Sequence, residues 1–213
     1  MVRIVKKAEE RRDDIIEAAG ELFLVKGYDR TTMRDVMARL HIAKGTIYHY
    51  FKSKEELLDA VLDSLVAAVV KQMEQTCDQS RGNGLERLRH LILNSTAEDS
   101  HDQEMLDHLH QPGNAGMHIR LLAKMITLEA PIFAKLIGQG CEEGIFTTNS
   151  PLESAEFILA AIQFLTDMGI YPWTPEQLTR RAMALPALVE AQLSAPQGSF
   201  QFLLEVLAER QMQ

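Results

Sequence analysis

Eight consecutive residues, Lys44-Gly45-Thr46-Ile47-Tyr48-His49-Tyr50-Phe51, bring together an ammonium, a bare backbone position, a hydroxyl, two phenols and an imidazole within one short helical span. These are groups that meet nucleic acid. A lysine can donate to guanine O6 or N7, a threonine can pack against a thymine methyl, and a glycine at a helix start lets free amides approach a phosphate. Ile47 and Phe51 lie four residues apart and share the apolar side of that helix, which leaves Lys44, Gly45, Thr46, Tyr48 and His49 facing outward.

A second group with chemical potential is Glu98, Asp99, His101, Asp102, Glu104, Asp107, His108 and His110. Glu98 and His101 have the Glu-x-x-His spacing of carboxylate-bridged metal sites, and His101 shares a helical face with His108. A di-metal bundle needs a second such motif and two further glutamates. No second copy occurs, so the segment reads as exposed polar chain, and no metal, cofactor or catalytic residue is expected.

The outward-facing groups need a helix and a turn in front of them. Val36, Met37 and Leu40 supply the apolar side of that preceding helix, Ile42 fills the turn, and Thr32 with Asp35 resembles a capping box. Further upstream, Ile15, Ala18, Ala19, Leu22 and Phe23 form a stripe over residues 9–26, with Gly27 placed for a left-handed cap. Downstream, Ser53-Lys54-Glu55-Glu56 opens a long helix carrying Leu57, Leu58, Val61, Leu62, Leu65, Val69 and Met73.

Helical periodicity continues through most of the chain, and alternating β-branched segments are scarce, so the fold class is all-α. Gly82 and Gly84 interrupt the pattern before a fifth helix with Leu85, Leu88, Leu91 and Ile92. A long apolar run from Leu121 follows, which Pro131 is expected to kink or restart before Gly144 closes it. Ser150-Pro151 and Thr174-Pro175 each place a cap residue before a proline at the first helical position, and residues 199–211 form a last amphipathic segment.

With 213 residues, 46% of them hydrophobic, the chain can bury a substantial core. The formal charge of −8 argues against nucleic acid until it is resolved along the chain. Residues 1–56 hold 12 Lys and Arg against 10 Asp and Glu, and the remainder holds 10 against 20. A mildly basic head on an acidic body suits contact with DNA at one end only. Cys77 and Cys141 show no paired spacing, as expected for free thiols. No apolar run approaches the roughly 18 residues of a membrane span, and no signal-peptide pattern is evident, so a cytoplasmic protein without membrane contact is expected.

Thr32-Met33-Arg34-Asp35-Val36, followed by Lys44-Gly45-Thr46-Ile47-Tyr48-His49-Tyr50-Phe51-Lys52-Ser53-Lys54-Glu55-Glu56-Leu57, resembles the DNA-binding head of the TetR (tetracycline-repressor) family of bacterial transcription regulators. The resemblance covers about residues 9–60. It implies a three-helix, helix-turn-helix domain at 1–53 and a helical ligand-binding and dimerisation domain at 54–213. It also implies a homodimer on a palindromic double-stranded operator, controlled by a small-molecule effector. Lys44, Gly45, Thr46 and His49 match the family's base-facing positions, and Thr32, Tyr48, Tyr50 and Lys54 match positions that usually grip phosphates. Arg34 is poised between an ion pair and a phosphate contact. Two positions depart from the common pattern: His41 stands in the turn where many members have glycine, and Ala43 where many have Ser or Thr.

For the effector pocket the candidates are Met105, His108, Met117, His118, Leu121, Met125, Phe164, Asp167, Met168 and Trp173, since Met and aromatic groups line adaptable cavities while His or Asp orient a ligand. Residues 151–170 and 175–194 are the expected dimer interface, through Phe157, Ile158, Ala161, Ile162 and Leu165. The expected function is a ligand-responsive repressor. The competing readings are a metal- or ligand-binding helical bundle acting as enzyme or store, and a constitutive DNA-binding protein without inducer.

Overall fold

The computed structural model describes residues 8–95 and 107–206, and among these all regular structure is helical. The helices include α1 (Ala8–Lys26), α2 (Met33–Leu40), α3 (Lys44–Tyr50), α4 (Lys54–Gln79), α5 (Gly84–Ser95), α6 (Ala115–Glu142), α7 (Pro151–Thr166) and α8 (Pro175–Leu193), with a 3-10 turn at Pro112–Asn114, and residues 107–109 and 202–206 are helical as well. No helix among the described residues is long and apolar enough to cross a membrane.

The described residues divide into two compact units: the first runs up to Ala67 and includes the stretch ending at Leu121, and the second begins at Ala68 and resumes at Leu122. In the first unit Ile15, Ala19, Phe23, Val36, Ile47, Phe51, Leu57, Leu58 and Leu62 are almost wholly withdrawn from solvent. Apolar burial of this kind contributes about 1.5–3 kcal/mol per large side chain and holds the short helices, which would not persist alone. In the second unit a core of Met73, Leu88, Leu91, Phe133, Leu136, Phe146, Leu159, Val189, Leu193 and Phe200 joins α4, α5, α6, α7 and α8. Gly84 lets α5 begin directly against the α6 backbone, since a Cβ there would collide with the amide nitrogen of Gly140.

Local signals act as expected at most helix ends. Gly27 takes a positive φ of 94° and its amide donates to Phe23 O, ending α1. Thr174 and Gln177 form a reciprocal capping box at α8. Ser150 differs: Pro151 does open α7, but Ser150 makes no side-chain cap bond. The nearby Thr148 hydroxyl pairs with Ser154 and accepts from the Ser150 amide instead. Pro131 does not restart the chain, because α6 continues through it. Pro186 is likewise accommodated inside α8.

Candidate nucleic-acid interface

The helix-turn-helix is built from two short elements whose ends are fixed by different means. At the start of α2, the Thr32 hydroxyl accepts from the Asp35 amide while the Asp35 carboxylate accepts from the Thr32 amide at 2.7 Å. The Lys26 ammonium pairs with the same carboxylate at 2.8 Å. Lys26, then the Thr32 hydroxyl and amide, hold the Asp35 carboxyl down at about 2. At the other end of α2, His41 takes φ 53° and ψ 42°, the left-handed conformation, and its amide closes onto Ala38 and Met37. Histidine tolerates that region better than most side chains, which explains a turn without glycine.

Helix α3 starts without a side-chain cap. Ala43 occupies the N-cap position and offers no hydroxyl, so the leading amides of α3 have no side-chain acceptor from that residue. Ile47 and Phe51 are buried at 0% and 1% exposure, which turns the other face of α3 outward. Lys44, Gly45 and His49 are exposed there, and Thr46, Tyr48 and Tyr50 are half-buried. The Lys44 ammonium lies 5.7 Å from the Tyr48 ring centre, and the His49 and Tyr50 rings meet edge-on at 5.0 Å. A Cβ built on Gly45 meets nothing within 4 Å, so no internal contact requires glycine here.

The residues expected to hold phosphate behave differently from one another. Arg34 is exposed, and no ion pair is recorded for it among the described residues, whereas Arg39 pairs with Glu21 at 3.1 Å. Thr32 is exposed but its hydroxyl already serves the α2 cap. Lys54 turns back into the protein: its ammonium donates to Tyr28 O at 2.8 Å and Thr31 O at 3.1 Å, and lies 4.0 Å from the Tyr28 ring centre.

Asn114, which the sequence reading passed over, is fully buried and completes this arrangement. Its Oδ1 accepts from the Tyr28 amide at 2.7 Å, and its Nδ2 donates to Leu24 O and His108 O. Asp29 adds a backbone bond to Gly113 O. The Tyr28 peptide is therefore held at its N–H by Asn114 and at its C=O by Lys54, and burial pushes the Tyr28 phenol above its ordinary 10.0. The only sequence signal was an Asn after Pro-Gly in a polar stretch, which looks like any surface turn.

The expected effector residues fall into both units. Met105 lies outside the described residues. In the first unit Met117 and His118 are buried, Leu121 is nearly so, and His108 is half-buried beside Gln111. The His110 and His118 rings are 5.0 Å apart. In the second unit Met125 and Phe164 are half-buried, while Met168 is 47% exposed. Asp167 caps a turn by accepting from the amides of Gly169 and Ile170. Trp173 stacks on Tyr171, carries the Arg181 guanidinium 3.4 Å from its ring centre, and donates to Leu165 O. A groove of about 690 Å³ on α8, lined by Pro175, Glu176, Thr179, Arg180, Met183 and Ala184, contains none of these candidates.

A short helix presenting polar groups outward, braced by a second helix across a tight turn, defines a helix-turn-helix DNA-binding protein. Residues 15–61 match the family model described as bacterial regulatory proteins, tetR family, and residues 97–188 match that of the tetracyclin repressor-like C-terminal domain. The HTH-type transcriptional repressor KstR2 of Mycobacterium tuberculosis is 28% identical over 149 residues, covering 68% of this chain and 74% of that protein. The HTH-type transcriptional regulator TtgR of Pseudomonas putida is 46% identical over 66 residues, 30% of this chain and 31% of that protein. Among solved structures, SmeT, the repressor of the Stenotrophomonas maltophilia multidrug efflux pump SmeDEF, shares the fold with a TM-score of 0.62 at 21% identity, over 89% of this chain and 92% of that one. The chain belongs to the TetR family and is a DNA-binding transcriptional regulator.

Proposed function

We propose that this regulator is a homodimeric repressor that places one α3 in the major groove at each half of a palindromic operator, and that a small effector bound in the body weakens the complex. The observation that carries this reading is the outer face of α3, where Lys44, Gly45 and His49 are exposed and Gly45 has no internal reason to be glycine. On this reading residues 1–53 read DNA and residues 54–213 carry dimerisation and control. Lys44, Gly45, Thr46 and His49 face bases, and Tyr48, Tyr50, Thr32 and Arg34 face phosphates. Lys54 acts one step back, fastening the loop before α2 through Tyr28 and Thr31.

The dimer is assigned to α7 and α8. Phe157, Leu165 and Met168 are exposed at helical spacing in and just after α7, and Met183 and Leu188 on α8 are 68% and 61% exposed. Large apolar groups at that spacing mark an interface. Ile158 is partly buried against the core of its own unit, so Phe157 and Leu165 carry more of this face than Ile158. The repressor sign follows the relatives named as repressors. An effector acts by binding one body conformation better than another, so its whole leverage is that difference in affinity.

Operator selection from random duplexes with the purified protein tests the assignment. A palindrome should emerge, and Lys44→Ala and His49→Ala should each lose discrimination at defined base positions, by roughly 1–3 kcal/mol per bidentate contact. Equal binding of both variants to the selected site at matched salt would remove α3 from the reading role.

A further inference from the structure

Gln163 Oε1, in the second unit, is the one buried side-chain polar atom without a hydrogen-bond partner among the described residues. Its neighbour on the same amide is committed: Gln163 Nε2 donates to Glu129 Oε2 at 3.0 Å. That bond fixes the amide's orientation, because the flipped form would set its oxygen against a carboxylate oxygen. Glu129 is only 7% exposed and lies on the buried face of α6, four residues before Phe133 and seven before Leu136. Gln163 follows Leu159 by four residues on α7 and shares its inward side, away from the exposed Phe157 and Leu165 stripe. The two side chains thus meet between α6 and α7, with Glu129 buried and Gln163 half-buried but its Oε1 withdrawn from solvent.

A buried acceptor without a donor, as Gln163 Oε1 is, is costly and favours a guest that supplies one. We propose that Glu129 and Gln163 form the polar recognition point for the effector, and that the effector is a small, largely apolar molecule bearing a hydrogen-bond donor, either a protonated amine or a hydroxyl. The donor reaches Gln163 Oε1, while Glu129 holds the amide in register and balances a cation where the donor is charged. A molecule whose polar end is a carboxylate meets like acceptors and is rejected. This inference rests on the ligand-responsive reading and assigns the chemistry of its effector site.

The test uses the full-length protein with three probes, decylamine and decanoate below their micellar concentrations and decan-1-ol below its solubility limit. Melting shifts and calorimetry report binding, and anisotropy of the selected operator reports release. Wild type should bind decylamine or decanol at least about tenfold more tightly than decanoate, the scale of one added hydrogen bond. Preference for the amine alone identifies a cationic effector, and equal binding of amine and alcohol identifies a neutral donor. Gln163→Leu should erase the preference over decanoate, and Glu129→Gln should reduce it for the amine. Unchanged probe ranking in both variants, decanoate binding as well as the amine, or operator binding without any probe response would each overturn the proposal while leaving the DNA-binding reading intact. Absence of operator binding by wild type would instead remove the regulatory reading, with probe binding still measured independently.

Discussion

Gly45 separates the needs of the fold from the needs of the partner. A glycine inside a helix costs about 0.5–1 kcal/mol relative to alanine, and here nothing in the chain occupies the space a Cβ would take. Gly45→Ala should therefore raise the stability of the free protein by about that amount in thermal unfolding and weaken operator binding in anisotropy titrations. Loss of both, or of neither, would show that glycine serves something else. Lys54 poses the complementary question. Because its ammonium is already bonded to Tyr28 and Thr31, Lys54→Ala should destabilise the head while leaving the salt dependence of DNA binding unchanged. A direct phosphate ligand would instead lower the salt slope by about one.

At the scale of elements, the two helices of the motif are secured unequally. The α2 cap depends on an ionised Asp35, whose carboxyl is held at about 2 against an ordinary 3.8. A depressed carboxylate stabilises the native state fully above its ordinary value, and that contribution disappears as the pH falls through the depressed one. Acid unfolding followed by circular dichroism should show this loss in wild type, with Asp35→Asn lacking that part of the pH dependence. Helix α3 has the opposite character. Ala43→Ser supplies the missing acceptor and should stabilise by about 0.5–2 kcal/mol if the serine caps the helix start. The loop between α1 and α2 depends on Asn114. Asn114→Ala would leave the Tyr28 amide and the Leu24 and His108 carbonyls without this partner, at a cost of about 1–3 kcal/mol, with faster hydrogen exchange at Tyr28 as the local signature.

For the molecule as a whole, α7 and α8 expose more large apolar surface than a monomer needs, through Phe157, Leu165, Met183 and Leu188. Phe157→Glu combined with Met183→Glu should shift the species seen by sedimentation from dimer to monomer and reduce operator affinity sharply, since two linked half-sites bind far more tightly than one. A double variant that stays dimeric would move the interface elsewhere.

The α-helical class, the helix-turn-helix, and the burial of Ile47 and Phe51 were all legible in the chain. Each depends on neighbours a few residues away, and periodicity and cap chemistry record such local relations directly. Ser150 was misread because a cap residue before proline is only a local preference, and the nearby Thr148 and Ser154 hydroxyls compete for the same groups. The Asn114 hold on Tyr28 spans 86 residues, and the Glu129–Gln163 pair spans 34, with no periodic trace of either. Sequence alone determined where the main helices form and which face of α3 turns outward, because backbone geometry converts spacing into sidedness. Only the tertiary structure decided that Lys54 bonds inward, that Asn114 secures the head's first loop, and that an amide oxygen is buried unpaired, because hydrogen bonds between distant segments exist only once packing has brought them together.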